Sequence, residues 1–139
     1  MRTRKKIGSL AVLTIAFAGA LIGFGASPAS AATGHITIPS NYVYNPNTTY
    51  QRTLHDYCSY SPDEFSAPGA NANFRGPCAR HDMCYQYHQQ TQHGCDNSLY
   101  SNLRSECAYT YAWYDPRRGA CIETAGVYWA AVTIHTIWP

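Results

Sequence analysis

Residues 78 to 88 read CARHDMCYQYH, and the fold turns on whether they form a helix. Two cysteines bracket an adjacent His-Asp pair, and aromatic residues follow. Pro77 stands directly ahead, where a proline suits the first turn, so the stretch predicts a helix from about Pro77 to Gln90. At about 100° per residue, placing His81 at 0° puts Asp82 near 100°, Tyr85 near 40° and Cys78 near 60°. Neighbours in a helical sequence do not face each other. His81 and Asp82 therefore flank one strip and can serve two adjacent sub-sites, with Tyr85 between them to close a pocket or hydrogen-bond. Each polar residue needs its partner from another part of the chain.

Further along, TQHG (91–94) reads as a break, with Gly94 its strongest signal. A second helix is expected from about Asp96 to Tyr111, where Leu99, Leu103 and Cys107 recur at i+4. Only a few residues join the two helices, which predicts an antiparallel hairpin. Asp96 shares its face with Leu99, Tyr100 and Leu103, the inward face, and an Asp there needs a partner. It can approach His81 across the helix interface. A carboxylate on one imidazole nitrogen fixes the tautomer and leaves the other nitrogen to take a proton from water. The alternative is that Asp96 opens the helix as its N-cap, with its oxygens occupied by backbone N–H groups.

Outward from this pair, DPRRGA (115–120) reads as a turn. CIETAGVYWAAVTIH (121–135) reads as a third helix with Ile122, Ala125, Trp129 and Val132 as its apolar stripe. Upstream, residues 32 to 50 are turn-rich and carry little charge, with an extended arm or short strand expected at HITI (35–38). SPDEFSAPGANANFRGP (61–77) is a long loop by composition. Such loops are functional or pinned in small domains, and Cys58 and Cys78 stand at its two ends as a potential staple. No internal repeat is visible. The fold class expected is all-α: a small disulfide-stapled domain built on an antiparallel helix pair with a third, C-terminal helix.

Residues 1 to 31 read as a signal peptide: basic MRTRKK, a long apolar run, then small residues around Ala29 and Ala31. Cleavage after Ala31 leaves a single domain of 108 residues, 32–139, with a modest core. Four of the ten cations stand in the leader, so 6 Arg against 8 acids remain, a formal net charge of −2. No basic stripe is left for nucleic acid or for a polybasic membrane anchor. All six cysteines fall in the exported part, and an even number there reads as a disulfide framework, although six allow fifteen pairings. Their spacing is a poor match to zinc ligands.

Asp82 also needs company. Hard cations take several oxygens from carboxylates, carbonyls and water. Asp56, in LHDYC, lies next to Cys58, and a Cys58–Cys78 bridge would bring it within reach of Asp82. The two acids are then either a weak calcium site or ordinary surface residues.

CARHDMCYQYH together with CDNSLYSNLRSEC (95–107) resembles the secreted phospholipases A2, specifically the small bacterial and fungal type. HDMCY also looks like the core of the animal secreted enzymes. The likeness spans roughly residues 50 to 137 and includes the upstream Asp-x-Cys element; the arm 32–49 is outside it. It implies His81 as the general base that activates water and Asp96 as its carboxylate partner. It implies a long calcium-binding loop, and Asp56, Asp82 and the backbone carbonyl of Tyr57 as calcium ligands. It also implies bridges Cys58–Cys78 and Cys107–Cys121. Cys84 and Cys95 depart from the bacterial pattern; they are expected to pair and to clamp the two catalytic helices. The loop also lacks the glycine-rich signature of the animal enzymes.

The function expected is calcium-dependent hydrolysis of the sn-2 ester of glycerophospholipids by a secreted monomer, at a membrane or micelle surface and with no nucleic-acid partner. Activity should fall as the pH drops and the imidazole charges. Two rivals are a non-catalytic module on the same scaffold, which would tolerate loss of a site carboxylate, and a metal hydrolase of another ester class.

Overall fold

A computed structural model describes residues 34–50 and 53–135; the expected leader lies outside the described residues. Three helices carry the domain: α1 (Arg75–Gln86), α2 (Gln92–Thr110) and α3 (Pro116–His135). Ahead of them lie four short strands, β1 (Asn45–Tyr50), β2 (Thr53–His55), β3 (Glu64–Phe65) and β4 (Ala72–Asn73). They form two antiparallel two-stranded sheets, β1 with β2 and β3 with β4. The class is therefore helical with two small sheets, not purely all-α. The described residues belong to one compact unit.

Cross-links between helices set their direction. Cys84 is bridged to Cys95, and His81 contacts Asp96, so the contacts climb one helix as they descend the other. Helices α1 and α2 are thus antiparallel. The same holds for α2 and α3, through the Cys107–Cys121 bridge and the Trp129 indole donating to Asn97 at 3.0 Å. A third bridge, Cys58–Cys78, ties the start of the long loop to α1. All three expected bridges are present.

The core fills the space between these helices and the loop. Phe74, Leu99, Leu103, Tyr111, Ala125 and Tyr128 pack around the bridges, and each large side chain contributes about 2 kcal/mol by leaving water. Two tyrosines of the core also hold the loop by its carbonyls. Tyr128 donates to Pro62 O at 2.5 Å and Tyr111 to Ala70 O at 2.6 Å. The stretch expected to be a loop thus contains the β3–β4 hairpin, and Phe74 N–H donates to Asp63 O at its base.

Several element boundaries differ from expectation. Helix α1 runs Arg75–Gln86 and ends four residues ahead of the expected Gln90, with His88 turning left-handed at φ of 47° just beyond it. Helix α2 begins at Gln92, with Thr91 as N-cap accepting the Gly94 N–H at 3.1 Å. Gly94 is tolerated because it sits in the first turn, so it does not break the chain. Helix α3 begins at Pro116, since Asp115 caps it through the Arg117 N–H at 2.9 Å and proline suits the first position. HITI takes the arm, one of its two expected forms, and not the strand, which lies later, at Asn45–Tyr50.

Residues 34–44 instead lie along the helices as an arm. The buried Glu106 carboxylate of α2 accepts the N–H groups of His35, at 3.1 Å, and of Ile36. Arg80 of α1 donates to Thr37 O at 2.9 Å and to Thr37 Oγ1 at 3.0 Å. Gly76 makes the close approach possible: a Cβ there would lie 1.7 Å from the Ile36 carbonyl oxygen. That neighbour is backbone and cannot swing away. G76A is therefore expected to destabilise the fold by about 1–3 kcal/mol, the range for overpacking, read as an earlier midpoint in urea unfolding. A midpoint equal to wild type would mean that the arm does not pack on α1.

Candidate active site

His81 is held inside the helix pair. Its Nε2 lies 2.8 Å from Asp96 Oδ1, with side-chain exposures of 9% and 1%. Asp96 is not the N-cap of α2, because Thr91 fills that role five residues earlier. Its place beside Leu99 and Leu103 turns it inward, as the apolar periodicity of α2 requires. Tyr85 donates its hydroxyl to the same Oδ1 at 2.5 Å, and its ring sits 4.3 Å from the imidazole between centroids. A carboxylate oxygen can only accept, so Nε2 carries a proton, and in the neutral ring Nδ1 is the nitrogen that keeps a lone pair. The Cys84–Cys95 bridge adjoins both acceptor and donor, one residue before Tyr85 and one before Asp96.

Asp82 points to a second place. It is buried, and its Oδ2 accepts the Tyr42 hydroxyl at 2.7 Å. Burial pushes its carboxyl well above the ordinary carboxylate range; the Tyr42 hydrogen bond pulls it down, and the charges of Asp56 and Asp63 push it up again. The Tyr42 hydroxyl is itself pushed above the usual phenol range, by burial first and the Asp82 charge second. Asp56 accepts the Ser59 hydroxyl. Asp63 accepts the Cys58 N–H at 3.1 Å.

Tyr57, the expected carbonyl ligand, takes a left-handed backbone with φ of 60°, and its carbonyl accepts the Ser59 N–H at 3.1 Å. Tyr60 is left-handed as well, with φ of 59°. Such backbone strain in non-glycine residues collects at functional loops, and here it gives the turns that glycines would ordinarily supply.

These residues fit a hard cation in kind. Asp56, Asp82 and the Tyr57 carbonyl offer only oxygens, and the repulsion that the half-buried Asp56 exerts on the buried Asp82 is what a divalent ion relieves. Among the described residues no three His, Cys, Asp or Glu side chains converge on one point. A cation here would draw on two carboxylates, backbone carbonyls and water, which suits calcium.

A cavity of about 660 Å³ lies between β2, the loop 57–61 and the three helices, lined by His81, Asp82, Tyr85, Leu99, Tyr128 and Val132 among others, with mainly apolar walls. His81 and Asp82 thus open onto one space. Tyr60 stands at its rim and is 99% exposed. A smaller, more polar cavity of about 390 Å³ lies against Arg80, His81 and the arm residues Pro39 and Asn41.

Two contributors escaped the sequence reading. Tyr42 sits forty positions from Asp82 in a stretch with no periodic signal, and nothing in the sequence places it there. Asp63 was read as loop composition only. No family model, curated protein or solved structure matches the chain.

Proposed function

We propose that the chain is a secreted calcium-dependent phospholipase A2, cleaving the sn-2 ester of glycerophospholipids to a lysophospholipid and a free fatty acid. The observation that carries this reading is the His81–Asp96 pair at 2.8 Å, opening with Asp82 onto one large apolar-walled cavity. The motif HDMCY and the Asp-x-Cys element support it independently.

His81 Nδ1 takes a proton from a water molecule as that water attacks the ester carbonyl. The imidazolium then returns the proton to the glycerol oxygen as the carbon–oxygen bond breaks. Asp96 steadies the charged ring meanwhile, and Tyr85 keeps the carboxylate from rotating. Asp56, Asp82 and the Tyr57 carbonyl are the residues that would hold calcium. Bound calcium supplies Lewis-acid polarisation of the carbonyl and charge for the oxyanion and phosphate. The apolar walls at Leu54, Tyr128 and Val132 suit an acyl chain, and the exposed Tyr60 ring at the rim suits a lipid surface.

All described cysteines are bridged, so none serves as a nucleophile. Three bridges fit an oxidising compartment, and no helix among the described residues is long and apolar enough to cross a membrane.

The test is acid release from phosphatidylcholine vesicles at constant pH. Base uptake should start with calcium, stop with a chelator and resume when calcium is restored. A protein that binds vesicles without releasing acid would favour the non-catalytic module.

A further inference from the structure

We propose that Tyr42, in the arm ahead of the first strand, is a positioning residue of the cation site, tying the Asp82 carboxylate to the Tyr57 peptide. This rests on the calcium reading above, in which both are ligands. The resemblance that suggested those ligands stops short of the arm, so the assignment comes from the geometry alone.

A phenol has one hydrogen to donate and lone pairs to accept. Tyr42 uses both in complementary directions: its O–H donates to Asp82 Oδ2 at 2.7 Å, and its oxygen accepts the Tyr57 N–H at 3.0 Å. The hydroxyl is the bridge between Tyr57, at the start of the loop, and Asp82 of helix α1. By taking Oδ2 it leaves Oδ1 to meet a cation. By holding the Tyr57 N–H it fixes a peptide in a left-handed turn that the local sequence does not favour.

The ring cannot drift from this position. It stacks on His55 at 4.7 Å and 11°, and on Tyr57 at 5.4 Å and 19°. The arm that carries it is fastened separately to both catalytic helices, by Glu106 on α2 and Arg80 on α1. Its last turn is closed by the Tyr42 N–H on Pro39 O at 3.0 Å. Ligands already held in place lose less freedom on binding, and that gain appears as affinity.

The experiment is calorimetric titration of the processed, fully bridged chain with calcium, comparing wild type, Y42F and D82N. Phenylalanine keeps the stacking and removes only the hydroxyl. Y42F should bind calcium about tenfold more weakly, the worth of one charge-assisted hydrogen bond; its melting temperature should fall but its unfolding stay cooperative, because Asp82 Oδ2 and the Tyr57 N–H lose a partner, and the titration is run well below that transition. D82N should lose the binding.

Equal calcium affinity in Y42F and wild type would overturn the positioning role while leaving the calcium reading intact. Tighter binding by Y42F would overturn it too, since the hydroxyl would then compete with the cation. A wild-type chain that binds no calcium would overturn both.

Hydrogen exchange on wild type gives a check that needs no variant. The Tyr57 amide should stay protected when calcium is added. Loss of that protection would mean that the cation displaces the hydroxyl, which contradicts the role.

Discussion

An H81A variant is expected to lose turnover on phosphatidylcholine by about 10³- to 10⁴-fold, the upper range for removing a general base, while still binding calcium. The separation follows from geometry. His81 is engaged by Asp96 and Tyr85, whereas Asp82 is engaged by Tyr42 on the other side of the strip. Removing the imidazole leaves the Asp96 carboxylate buried with only the Tyr85 hydroxyl, so a stability loss of about 1–3 kcal/mol accompanies it. Assays therefore belong well below the melting transition. D96N should lower turnover by about 10²- to 10³-fold. An amide can turn its NH₂ toward Nε2, which moves the ring proton to Nδ1 and removes the lone pair that accepts from water. Loss of calcium binding in H81A, or near wild-type turnover in D96N, would contradict the division of labour.

The second large effect is expected at the Cys84–Cys95 bridge. Cutting it as C84A/C95A frees a connection of 11 residues, worth about 3 kcal/mol in chain entropy and roughly 10 °C in melting temperature. C107A/C121A opens a connection of 14 residues and should cost about as much. The two differ in what they do to catalysis. Cys84 and Cys95 flank Tyr85 and Asp96, so their loss lets α1 and α2 slide where the dyad is made. Cys107 and Cys121 join α2 to α3, away from His81. At a temperature where both variants are folded, C84A/C95A should lose at least about tenfold in kcat, since 1 Å misplacements are costly at a reacting centre, and C107A/C121A should keep most of it. Equal losses would mean that the first bridge stabilises the fold without setting the dyad.

The dyad was legible because it depends on short-range rules. Helical spacing put His81, Asp82 and Tyr85 on one strip, a short connection made the hairpin antiparallel, and Asp96 shared the inward face with Leu99 and Leu103. The helix starts were less legible. Gly94 read as a stop because glycine punctuates chains, yet Thr91 accepts its N–H and makes it part of a first turn. Asp115 and Pro116 carried the signature of a cap and a first helical residue, but in DPRRGA the turn reading was equally available.

The arm was illegible for a different reason. Its anchors are single contacts across some 40 to 70 positions, which no local pattern encodes. Glu106 did leave a trace. It follows Leu99 by seven residues and Leu103 by three, so it lies on the buried face of α2, where a carboxylate must find donors. The sequence did not say that those donors would be the His35 and Ile36 amides. The left-handed Tyr57 and Tyr60 carried no signal either, since tyrosine has no preference for that region.

The most direct measurement uses phosphatidylcholine with different labels in its sn-1 acyl chain, sn-2 acyl chain and head group, incubated with the wild-type chain and calcium. The account predicts that the sn-2 label alone leaves as fatty acid, that the other two stay together in lysophospholipid, and that chelation stops the release. Intact lipid, or a head-group label released in place of the sn-2 acid, would contradict it.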